Sequence, residues 1–130
     1  QEAYYYAAEH TGFQARPFRT QVTYSKYNSI DDKIDDLHYY TTYMKFGLGR
    51  ASYDSSQEVR NRHLTREEAV ALVQKFDGEF PDRYFQEVME YIEMDPERFV
   101  ERCDQARSPH LWTREGGDWK LRYPVWEAEA

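Results

Sequence analysis

The chain has 130 residues, and its 24 acidic against 17 basic side chains give a formal charge of −7. This size fits one domain, and the charge disfavours nucleic acid or an anionic membrane as a partner. Cys103 is the only cysteine, which excludes an internal disulfide and a cysteine-rich zinc site and points to a reducing compartment.

No apolar run approaches the roughly 20 residues of a spanning helix, so the expectation is a cytoplasmic protein without membrane insertion. Glu2 to about His10 is rich in alanine and tyrosine and suits a helix stopped at Gly12. No capping residue precedes it, which suggests a domain excised from a longer chain. Residues 13–28 hold Pro17, β-branched residues and Asn28 without a helical period, predicting a long ordered loop. A loop of that length inside a compact domain is often functional.

Ser29 and Asp32 have the spacing of a capping box. Beyond them Ile30, Ile34, Leu37, Thr41, Met44, Leu48, Ala51, Ser55 and Val59 recur at steps of four and three. This seam predicts one long helix over about 30–62, the axis for the other elements, with Gly47 and Gly49 marking a kink or a close backbone approach. Thr65 and Glu68 repeat the capping-box spacing before a short helix closed by Asp77-Gly78. Pro81 starts another helix that runs to about Met94, and Asp95-Pro96 caps a last one to about Arg107. Around Gly116-Gly117 the alternation changes to that of a β-hairpin, with Trp112, Trp119 and Trp126 folding back onto the helices. Disorder is predicted from Glu127 onward. The fold class is all-α, a single helical domain over residues 1–130 with a small C-terminal hairpin.

Four acids, Asp31, Asp32, Asp35 and Asp36, stand within six positions. They suit either a magnesium and diphosphate clamp, as in prenyl-diphosphate enzymes, or the acidic first turn that offsets a helix dipole. The clamp needs a second acidic cluster on a facing helix, and the later acids are scattered among polar positions, so no metal site is assigned. The ligand-binding candidates lie around these acids. Tyr24, Lys26 and Asn28 stand in a hydroxyl-rich loop read as leading into a helix N-terminus, which accepts anions through free amides. Arg50, Asp54, Arg60 and His63 stand among small residues, where arginine's planar fork suits phosphate. His38 sits in a tyrosine patch and can hydrogen-bond or exchange a proton. Each has a plainer reading, as a polar loop, as solvated ion pairs one helical turn apart, or as aromatic packing. No P-loop, G-x-S-x-G or H-E-x-x-H motif occurs, and no catalytic residue is assigned.

The stretch from TYSKYNSIDDKIDD through GLGRASYDSSQEVRNRH to FPDRYFQEVMEYI (residues 23–92), followed by RSPHLW (107–112), resembles the C-terminal part of the N-acetyl sugar amidotransferases of bacterial surface-polysaccharide and lipopolysaccharide biosynthesis. The resemblance spans roughly residues 1–112. It implies a parent enzyme of the PP-loop ATP-pyrophosphatase type that turns a sugar acetamido group into an acetamidino group, by adenylation of the amide oxygen and displacement of AMP by ammonia. It also implies a nucleotide-activated sugar as substrate, ATP and magnesium in an N-terminal PP-loop domain, and glutaminase and cyclase-like subunits that supply the ammonia. The SGGxDS nucleotide loop of that domain is not in this sequence, so no cofactor and no activity of its own are expected here. The chain then contributes to the sugar-nucleotide pocket or to a subunit interface. The alternative is a non-catalytic module for oligomerisation or partner binding. That module predicts Ile34, Leu37, Met44 and Leu48 exposed, whereas a substrate-pocket domain predicts a polar concavity around Arg50 and His63.

Overall fold

A computed structural model describes residues 2–128. Six helices follow in chain order: α1 (Glu2–His10), α2 (Asp35–Phe46), α3 (Arg50–Arg60), α4 (Arg66–Phe76), α5 (Asp82–Tyr91) and α6 (Pro96–Gln105). An antiparallel hairpin of β1 (Trp112–Glu115) and β2 (Asp118–Leu121) and a 3-10 turn (Val125–Glu127) complete the chain. The fold is mostly helical with one small hairpin, as the residue pattern predicts.

The single long helix over 30–62 is not formed. Gly47 ends α2 with φ +70°, a left-handed conformation that glycine adopts without the Cβ penalty, and its amide donates to Tyr43 O. Gly49 then opens α3, where the Asp77 carboxylate accepts hydrogen bonds from the Gly49 and Ser52 amides at 2.9 and 3.0 Å and from Ser52 Oγ at 2.6 Å. A Cβ at Gly49 would sit 2.5 Å from Asp77 Oδ1. The two glycines therefore both break the helix and admit a partner side chain. The start is also later than the capping-box spacing implies. Ser29 donates to the Asp35 carboxylate instead of capping a helix, Asp32 accepts from the Ile34 amide at 2.7 Å, and α2 begins at Asp35. The seam is correspondingly split: Leu37, Met44, Ala51 and Ser55 are buried, whereas Ile30, Ile34 and Leu48 are exposed.

Other ends follow their local chemistry. Thr65 and Glu68 form a reciprocal capping box at α4, and Asp95 accepts from the Arg98 amide with Pro96 in the first turn of α6. The hairpin turns at Gly116 and Gly117 with Trp112 opposite Leu121. The 3-10 turn runs through Glu127, where disorder was predicted, and residues 129–130 lie outside those described.

The apolar core gathers Leu37, Tyr43 and Met44 of α2, Val88 and Met89 of α5, Phe99 and Cys103 of α6, and Trp112 of β1. Trp112 anchors the hairpin: its indole N–H donates to Met44 O at 2.9 Å, and its ring meets Tyr43 edge to face at 5.3 Å. Trp119 packs against the same core.

Candidate functional site

Between α1 and α2 the chain runs without regular structure, yet Thr20, Gln21, Val22, Thr23 and Ser25 are all buried. Burying side chains this polar is costly unless they are hydrogen-bonded. Thr20 N–H donates to Ser25 O at 2.9 Å, closing a turn whose tip, Val22, has φ +66° and is fully buried. A β-branched residue is strained there, and the surroundings impose it. Val22 N–H donates to Glu79 at 2.9 Å, Arg19 forks onto the same carboxylate, and Gln21 bridges Asp82 and the Arg83 amide. Burial alone would raise the Glu79 carboxyl, but the Arg19 guanidinium and the Val22 amide hold it below its ordinary value.

The clamped turn lays residues 23–28 along α3. Arg50, Asp54, Gln57 and Glu58 recur on one face of that helix and Asn61 continues it, forming one wall of a cavity of about 140 Å³. Tyr24, Ser25, Tyr27 and Asn28 form the opposite wall, and His63 closes one end. Asp54 organises the floor. Its Oδ2 accepts from Thr23 Oγ1 and from Asn28 Nδ2, both at 2.7 Å, and its Oδ1 lies 2.9 Å from Arg50 Nε. Arg50 Nη2 also donates to Asn28 Oδ1 at 3.3 Å, and its guanidinium lies 5.0 Å from the ring centres of both Tyr39 and Tyr53. Burial raises the Asp54 carboxyl, opposed by Thr23 and Arg50. Burial, together with the charges of Glu58 and Asp54, raises the Tyr24 hydroxyl above its ordinary value, keeping it protonated as a donor. Among the described residues, Ser25 Oγ and Arg50 Nε are buried at this cavity without a hydrogen-bond partner, and the Tyr24 hydroxyl stands beside Glu58.

Of the residues singled out from sequence, Tyr24, Asn28, Arg50, Asp54 and His63 converge here. Three do not. Lys26 is exposed and contributes its carbonyl to the Arg16 amide. Arg60 turns to a recess with Val59, Arg66 and Val125. His38 lies on a separate, mostly apolar groove with Met44, Phe46, Phe99 and Cys103. The anion-accepting helix N-terminus foreseen after Asn28 is absent, because α2 starts only at Asp35. Ser25, Tyr27, Gln57, Glu58 and Asn61 were not singled out. The last three stand seven, eight and eleven positions after Arg50, a helical spacing visible in the sequence. The aspartates diverge: Asp31 and Asp32 are exposed ahead of α2, while Asp36 turns inward. Among the described residues, no three His, Cys, Asp or Glu side chains converge as a metal-ligand set.

A small helical domain bearing a polar, hydrogen-bonding recess is thus the class defined by fold and site. Residues 21–124 match the family described as LPS biosynthesis protein WbpG-like, C-terminal domain, and the chain belongs to that family. No curated protein matches it. Among the described residues no helix is long and apolar enough to cross a membrane.

Proposed function

We propose that this domain serves an ATP-dependent amidotransferase that converts a sugar N-acetyl group to an acetamidino group, and that its cavity borders the nucleotide-activated sugar. The lipopolysaccharide setting of the family supports this reading. The observation that carries it is the cavity between residues 24–28 and α3, where hydroxyls, amides and a carboxylate face one space around the Arg50 and Asp54 pair. Such a surface binds and orients a hydroxyl-rich ligand through hydrogen bonds.

The residues of this chain do not fit ATP and magnesium: the SGGxDS loop is not in the sequence, and no metal-ligand set converges among the described residues. No step through ATP is assigned to them. In this proposal the nucleotide is handled by a PP-loop domain, ammonia comes from glutaminase and cyclase-like subunits, and the assembly works in the cytoplasm. An assembly module remains the competing reading, drawing on Phe46 and Leu48, which are 57% and 66% exposed. Of the four side chains it requires exposed, Ile34 and Leu48 are exposed, whereas Leu37 and Met44 are buried in the core.

Titration calorimetry with uridine diphosphate N-acetylglucosamine tests the pocket. Saturable heat that falls at least tenfold in affinity in Asp54→Asn supports it. Absence of heat, together with a concentration-dependent dimer by light scattering, favours the module.

A further inference from the structure

The cavity has a charge pattern that bears on which part of a sugar nucleotide enters it. Among the described residues its one lysine or arginine is Arg50, whose Nη2 donates to Asn28 Oδ1, whose Nε lies 2.9 Å from Asp54 Oδ1 without an aligned hydrogen bond, and whose guanidinium faces Tyr39 and Tyr53. Against this one cation stand two carboxylates, Asp54 and Glu58. Asp54 is engaged by Thr23, Asn28 and Arg50, and Glu58, the second carboxylate of the cavity, stands beside the Tyr24 hydroxyl. A phosphate brought here would meet two carboxylates against a single guanidinium that already faces one of them, and like charges at close range repel.

The remaining groups suit a neutral guest. Ser25 is 5% exposed, and its Oγ is buried and unpartnered, while the Tyr24 hydroxyl stands beside Glu58. Gln57 and Asn61 add amides that donate and accept, and Glu58 accepts only. The volume of about 140 Å³ is well below the roughly 300–1,000 Å³ of pockets that enclose a drug-sized ligand. There is room for one ring and not for a base, ribose and diphosphate besides. Asn61 and His63 line both this cavity and an adjoining recess bounded by Glu2 and Ala3, so the way out lies on that side.

Resting on the function proposed above, we infer that this cavity receives the uncharged, hydroxyl- and amide-bearing sugar ring and leaves the phosphates and nucleoside outside. Saturation-transfer NMR on the 130-residue chain separates the alternatives, using N-acetylglucosamine, uridine diphosphate and their conjugate as three probes. Saturation of the ring and acetamido protons in the free sugar and the conjugate is the expected result, with at least threefold less on the uridine of the diphosphate. Glu58→Ala, on a partly exposed helix face, should reduce the sugar signal at least threefold while the protein stays folded by circular dichroism. Comparable or stronger saturation of uridine diphosphate overturns the inference while leaving a sugar-nucleotide site in place. No saturation of any probe overturns the site itself, and an unchanged sugar signal in Glu58→Ala overturns the role given to that carboxylate.

Discussion

Around Trp112, side chains of α2, α5, α6 and the hairpin close on one another as Leu, Met, Val, Phe and aromatic rings. Around Val22, an equally buried region is built of Thr20, Gln21, Thr23, Ser25 and Asp36, tied across the chain by Arg19 to Glu79, Gln21 to Asp82 and Thr23 to Asp54. The first region is held by area removed from water, a force without direction. The second is held by directional bonds that fail when a partner moves by an ångström. The cavity lies against the second, where residues 23–28 are tied to α3 by the bonds of Thr23 and Asn28 to Asp54. A recess lined with polar groups needs such a wall.

The largest effect is expected on the apolar side. Trp112→Ala should cost about 3–5 kcal/mol in chemical denaturation, because a 3%-exposed indole and its bond to Met44 O are lost together. A loss under about 1 kcal/mol would mean that the hairpin is not anchored there. Next comes the junction between the two regions. Asp77→Ala should cost about 3 kcal/mol, since the Gly49 and Ser52 donors lose their acceptor at the start of α3. Asp77→Asn should recover part of this.

Acid titration sharpens the contrast on the polar side. Glu79 is held below its ordinary value in the folded chain, so its stabilisation is complete above the unfolded carboxyl value and disappears as pH falls through the folded one. Glu79→Gln should cost about 1–2 kcal/mol at pH 7 and flatten that acid limb in urea denaturation. Asp36 has the opposite sign. Burial raises its carboxyl against the pull of Arg16 and Arg83, so stability falls as pH rises from the unfolded value through the folded one, and Asp36→Asn should remove that slope. A smaller effect belongs to the helix break. Gly47→Ala should cost about 1 kcal/mol, because the residue has φ +70° and an added Cβ would lie 3.0 Å from Leu121 Cδ2.

The same contrast explains what the sequence discloses. Helix faces such as that of Leu37 and Met44, and caps such as Thr65 with Glu68 and Asp95 with Pro96, are local patterns, and they are legible. The step-of-four-and-three seam runs unbroken through residues 47–49, because the period does not register that Gly47 turns left-handed or that Asp77, 28 positions on, occupies the gap. The buried turn at residues 20–25 is hidden for the same reason: its partners lie 31 to 62 positions away, and polar residues there resemble any solvated loop. Five of the eight binding candidates share the cavity because α3 and the adjoining loop juxtapose them. Lys26, Arg60 and His38 have suitable chemistry but point to other surfaces.

Amide chemical-shift mapping tests most directly whether the recess between residues 24–28 and α3 is where this domain meets its ligand. In a titration of the ¹⁵N-labelled chain with uridine diphosphate N-acetylglucosamine, the largest shifts are expected to cluster at residues 23–28, 50–58 and 61–63. Shifts confined to the apolar groove of His38, Phe46 and Phe99, or none up to millimolar ligand, would contradict it.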